Sequence, residues 1–149
     1  MIGWMCAGIV LLLGSIYDVK SFTLPLWLLG LGLCGGIVGN VYLWINEELY
    51  WWELLTGLLP GGLSLVLSFL TREQIGYGDG WVLLIVGSMV GGESIWHIWM
   101  AGLLASFAVS AVLLILRKAS GKKRLPFVPF LLFGYVVTLL GVWGGITGV

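Results

Sequence analysis

The chain has 149 residues, 60% of them hydrophobic and 9% charged, with a formal net charge of zero. A soluble domain carries about 25% charged residues, so a water-soluble globular protein is excluded, as is the basic balance that a nucleic-acid partner would need. The class that remains is an integral membrane protein, with the mean hydropathy of +1.09 on the same side of the argument.

The apolar runs, taken in order, read as six transmembrane helices in an all-α, polytopic fold, with residues 1–149 forming a single transmembrane domain. The first span runs from Gly3 to Tyr17 and ends at Asp18-Val19-Lys20-Ser21. It has no basic stretch before it and no small-residue cleavage site, so it reads as a retained span and not a removed signal peptide. About 20 apolar residues cross a bilayer. This span is slightly short, and Asp18 belongs to its lower end.

Pro25 restarts the chain in the first turn of a second helix, Leu24 to Leu43. Within it, Gly32/Gly36 and Gly35/Gly39 are small-residue pairs suited to close helix contact. Asn46-Glu47-Glu48 breaks the pattern, and Tyr50-Trp51-Trp52-Glu53 marks a membrane–water interface. The third span is Trp51 to Leu70, with Pro60-Gly61-Gly62 expected to kink or open it. After Thr71-Arg72-Glu73-Gln74 comes Gly76-Tyr77-Gly78-Asp79-Gly80. A short fourth span starts near Asp79 and reaches Gly92, with Gly87/Gly91 as another close-packing pair. Glu93-Ser94 reads as a turn, Ile95 to Leu116 as the fifth span, and Pro126 to Trp143 as the sixth. Trp96 and Trp99 are expected interface anchors.

All seven basic residues (Lys20, Arg72, Arg117, Lys118, Lys122, Lys123 and Arg124) fall after spans one, three and five. The positive-inside rule makes that face cytoplasmic, with both termini outside. Asp18 and Asp79 then share the cytoplasmic face.

An ionisable group at the margin of a span is costly and marks a functional site by default. Two carboxylates in one site cannot both ionise cheaply, so one keeps a proton while the other stays charged. The charged one can take a proton from water, and the protonated one can polarise a carbonyl and protonate a leaving amine. The pair titrates as a unit, so the spacing does not assign the base. Gly76, Gly78 and Gly80 permit unusual backbone and would let an extended substrate approach Asp79.

Structural readings stand beside these. Asp79 alone would serve as an N-cap, and Asp18 alone as a helix-end residue. Glu47, Glu48, Glu53 and Glu93 read as solvated loop charges, and His97 as interfacial. The basic loop reads as a topology determinant that can also hold anionic lipid headgroups. Cys6 and Cys34 lie in apolar runs without a CxxC pair, which leaves no metal-ribbon or disulfide signal.

Three places carry a family resemblance: Asp18 with Leu24-Pro25, Gly76-Tyr77-Gly78-Asp79, and Leu125-Pro126-Phe127-Val128-Pro129-Phe130-Leu131. In these the chain resembles the type IV prepilin peptidases, membrane aspartyl proteases of the GxGD type. The resemblance implies Asp18 and Asp79 as the catalytic dyad. It gives support roles to Gly76, Tyr77, Gly78 and Gly80, and structural roles to Pro25, Pro126 and Pro129. It implies no metal and no cofactor. The substrate would be a prepilin or pseudopilin of a pilus, secretion or DNA-uptake system, cut after a glycine on the cytoplasmic side of the cell membrane. Many members also carry an N-terminal extension with paired cysteines and methylate the new terminus. This chain matches a short form, so peptidase without methyltransferase activity is expected. Leu26, Trp81 and Val128 stand where the family often has asparagine, lysine and glycine, which bears on substrate preference.

Preflagellin peptidases share the dyad and span number and are the nearest alternative. Presenilin-like enzymes also pair Tyr-Asp with GxGD but need about nine spans by resemblance. From other classes, a small proton-coupled transporter would use the acids as relay groups, and a glycine-packed scaffold would not need them. Transporter sites favour the midplane of inverted repeats, and neither feature is visible here.

Overall fold

The computed structural model describes residues 2–21, 24–46, 50–70, 76–116 and 126–143. Glu47, Glu48, the connection 71–75 with its Arg72, the basic stretch 117–124 and Leu125 lie outside the described residues.

The described residues form six α-helices: α1 (Ile2–Ser21), α2 (Leu26–Ile45), α3 (Trp51–Leu70), α4 (Tyr77–Val90), α5 (Gly92–Ile115) and α6 (Val128–Trp143). Each occupies one of the expected spans. α1, α2, α3 and α5 are long and apolar enough to cross a membrane, whereas α4 and α6, with 14 and 16 residues, are shorter. At 1.5 Å per residue α4 is about 21 Å long, against a hydrocarbon core of about 30 Å.

Three boundaries differ from the sequence reading, and α3 is unbroken at Pro60. Pro25 precedes α2 as its N-cap, with φ −69° and ψ 134°, and its carbonyl accepts from Leu28 and Leu29. Its extended ψ keeps it out of the first turn. Pro60 neither ends nor splits α3, which is continuous through it. Pro60 is buried with Gly57 and Gly61 on the face that packs against α4, so the neighbouring helix holds the backbone helical across the missing donor. The turn between α4 and α5 is Gly91 alone, at φ +85°, a left-handed conformation that glycine adopts without steric cost. Glu93 and Ser94 consequently fall in the first turn of α5, where an acidic side chain is favourable to the helix dipole. α6 starts at Val128, two residues after Pro126.

α4 is the centre of the bundle and touches α1, α2, α3 and α5, while α6 packs on α1 and α5. The closest approach joins α3 to α4. A side chain added at Gly87 would meet the Gly57 carbonyl, and one at Gly61 would meet the backbone of Leu84. These contacts need bare backbone on both helices, the membrane solution to packing without a hydrophobic driving force. On α2, Gly32 and Gly36 face Ile85 and Ser88 of α4, whereas Gly39 faces open space. α2 and α3 both lean on α4 and leave an apolar groove of about 420 Å³ between them, floored by Leu84 and Ser88.

The core is built from Ala7, Leu11, Val82, Leu83, Val86, Val128 and Leu131. The Tyr135 hydroxyl donates to the Trp4 carbonyl at 2.7 Å, with the two rings 5.7 Å apart. The outer surface is as apolar as the interior. Leu26, Phe69 and Ile115 are about four-fifths exposed, a cost that only a lipid environment removes. The chain is thus an all-helical, polytopic membrane protein.

Candidate active site

The two aspartates meet because their helices run in opposite directions. Gly3, at the start of α1, lies against Met89, at the end of α4. At the other end, the Leu24 side chain fills the space beside both Gly14 of α1 and Gly78 of α4. Asp18 is one turn beyond Gly14, and Asp79 is the residue after Gly78. Both carboxyls are therefore at the same end of the bundle, and they interact electrostatically.

Asp18 is buried, at 7% exposure. Its Oδ2 accepts a hydrogen bond of 3.0 Å from the Val128 N–H, across 110 residues of sequence, and the Phe127 amide adds a weaker favourable interaction with the same carboxyl. Both donors belong to the start of α6, where unpaired amides and the helix dipole favour a negative charge. The prolines explain why these two amides are the ones presented. Pro126 and Pro129 carry no N–H, so between them Phe127 and Val128 are the available donors. Proline is also tolerated in a first helical turn, where its missing donor has no intrahelical partner. The sequence reading gave this segment a structural role and missed its contact with Asp18. The pattern of two prolines bracketing two amides was the signal within reach.

Asp79 lies in the first turn of α4, and Gly76 is the N-cap. The N-cap reading of Asp79 is thereby corrected: its side chain makes no cap hydrogen bond, and its own N–H donates to the Gly76 carbonyl at 3.1 Å. Among the described residues no donor bonds to the Asp79 carboxyl. The motif glycines divide by what surrounds them. Beside Gly78 the space is filled by Leu24, and beside Gly80 by Leu65. Gly76 is exposed, and a methyl group there would lie 2.6 Å from Asp79 Oδ2. The open approach expected along these glycines is thus confined to Gly76. Tyr77 is exposed beside it, and at the foot of α1 the exposed rings of Tyr17 and Trp27 meet edge to face at 5.9 Å.

The remaining candidates lie elsewhere. His97 is exposed on α5, with Nδ1 3.0 Å from the Glu93 carbonyl. Among the described residues, no three His, Cys, Asp or Glu side chains gather as a metal site would need. Cys6 and Cys34 are both free.

A model of the type IV leader peptidase family matches residues 5–116. The chain belongs to that family. Among curated proteins, it is 28% identical over 140 residues to a prepilin leader peptidase/N-methyltransferase of Pectobacterium carotovorum subsp. carotovorum, covering 87% of this chain and 48% of that protein. It is 30% identical over 136 residues to a protein of the same description from Aeromonas salmonicida (strain A449), covering 88% and 38%. The chain thus spans about half or less of the length of these relatives. No solved structure gives a significant match.

Proposed function

We propose that this member of the type IV leader peptidase family is an aspartyl endopeptidase, with Asp18 and Asp79 as its catalytic pair and a prepilin or pseudopilin leader as its substrate. The observation that carries the reading is the convergence of these two acids at one end of antiparallel α1 and α4. In a chain this apolar, two neighbouring carboxyls at the margin of the spans are expensive and call for a function.

The chemistry follows from the pair. One carboxylate takes a proton from water, and the oxygen attacks the carbonyl carbon of the scissile peptide. The other, protonated, carboxyl polarises that carbonyl and gives its proton to the departing amide nitrogen. A C–O bond forms, the C–N bond breaks, and the proton taken from water restores the pair. The cut follows a glycine, at the cytoplasmic end of the substrate's hydrophobic segment. The clustering of basic residues on the connections at this end supports a cytoplasmic site in the inner membrane, with both termini on the opposite side. The proposal concerns the peptidase half of the relatives' description alone, and oligomeric state forms no part of it.

The test is cleavage of a prepilin-like peptide by the purified protein in detergent, comparing wild type with Asp18→Asn and Asp79→Asn. The reading expects cleavage after the glycine by wild type and none by either folded variant. Full activity in either variant would overturn it.

A further inference from the structure

We propose that the two amides between Pro126 and Pro129 hold Asp18 in its charged form, so that Asp18 is the general base and Asp79 the proton donor. This deepens the reading above and rests on it. The contrast between the two carboxyls carries the argument. Asp18 is buried yet accepts from Val128 at 3.0 Å, with a weaker favourable interaction from the Phe127 amide. Backbone N–H groups can only donate, so they stabilise the carboxylate over the acid. Asp79 receives no such donor among the described residues. In a pair that shares one proton, the proton then resides on Asp79.

Among the described residues, few other charges compete for this role. Of the elements packed on α1, α4 contributes Asp79 and Tyr77, and α6 contributes Tyr135, which is engaged with Trp4. α2 carries Cys34 and Tyr42, two turns or more above its start. On α1 itself, Tyr17 and Lys20 flank Asp18 and point outward. Val128 and Phe127 are positioning residues, acting through their main chain.

The deciding variant is Val128→Pro. It removes the amide at the first position of α6, where helix geometry tolerates proline, and the ring displaces the Asp18 carboxyl from its 3.0 Å contact. The acidic limb of kcat/KM should move to higher pH by about one unit, the scale of one lost hydrogen bond to a charged group. Val128→Ala keeps the amide. Whatever activity it loses through packing, its acidic limb should stay in place. An unmoved limb in Val128→Pro, or an equal shift in Val128→Ala, would overturn the assignment.

A second measurement covers the case in which Val128→Pro does not fold. At the pH of maximal activity, the infrared stretch of a protonated carboxyl should be present in wild type and lost in Asp79→Asn. Its persistence in Asp79→Asn would put the proton on Asp18 and reverse the roles. If Asp18→Asn or Asp79→Asn instead cleaves at the wild-type rate, the aspartyl reading itself fails.

Discussion

Leu24 packs against the backbone of Gly78, so closely that a methyl group there would lie 2.9 Å from Leu24 Cδ1. The same side chain lies beside Gly14, one turn from Asp18, and so spaces the two halves of the site. Leu24→Ala should therefore lower kcat/KM roughly tenfold, because small misplacements of catalytic groups are costly. Leu24 is only partly buried, so the stability cost should be near the low end of the range for such substitutions, about 2 kcal/mol. Thermal unfolding in detergent alongside the cleavage assay separates the two effects.

Gly76→Ala should damage activity while sparing the fold. The added methyl would press on Asp79 Oδ2 at 2.6 Å and turn the carboxyl away. Gly76 has φ −58°, which alanine adopts freely, and the N-cap change costs at most about 1 kcal/mol. A fall in kcat of roughly one to two orders of magnitude, with a nearly unchanged melting temperature, is the expected result.

The α3–α4 contact predicts a pair of opposite outcomes. Gly87→Ala would drive a methyl into the Gly57 carbonyl, and backbone against backbone has no cheap way to yield. We expect a loss of more than about 2 kcal/mol, as for other forced overpacking. Gly62 sits on the same α3 but has nothing within 4 Å of an added Cβ. Gly62→Ala should be neutral or stabilising, by up to about 1 kcal/mol, because alanine restricts the unfolded chain and favours helix. Unfolding measurements on the two variants check both signs.

Activity should depend on pH with two limbs. As pH falls, the base takes up a proton and loses its capacity to activate water. As pH rises, the acid loses the proton it must deliver to the leaving amine. A kcat/KM profile on the peptide substrate should therefore be bell-shaped, and its two apparent constants belong to the pair as a whole. A profile with one limb would contradict a proton-sharing dyad.

Much of this architecture was legible because apolar runs in a membrane protein announce their own ends. The six helices and the margin positions of Asp18 and Asp79 followed from where apolar stretches gave way to polar residues. Turn chemistry was less legible. Glu93 and Ser94 look like a turn by polarity, but Gly91 alone reverses the chain, and the two polar residues fall inside the first turn of α5, with Ser94 buried. Pro60-Gly61-Gly62 reads as a kink or local opening, and α3 runs through it as one continuous helix with Pro60 buried. The contact between Val128 and Asp18 was hidden for a different reason. Side-chain composition records which segments meet lipid, whereas a free backbone amide gains meaning only when packing aims it at an acceptor 110 residues away.

That contact also orders events during synthesis. Asp18 enters the membrane with the first helix and Asp79 with the fourth, yet the amides that hold Asp18 come with the sixth. A nascent chain with five helices inserted carries both acids without the clamp between Pro126 and Pro129. Both acid-bearing helices are therefore in place before the segment that clamps Asp18 has been made.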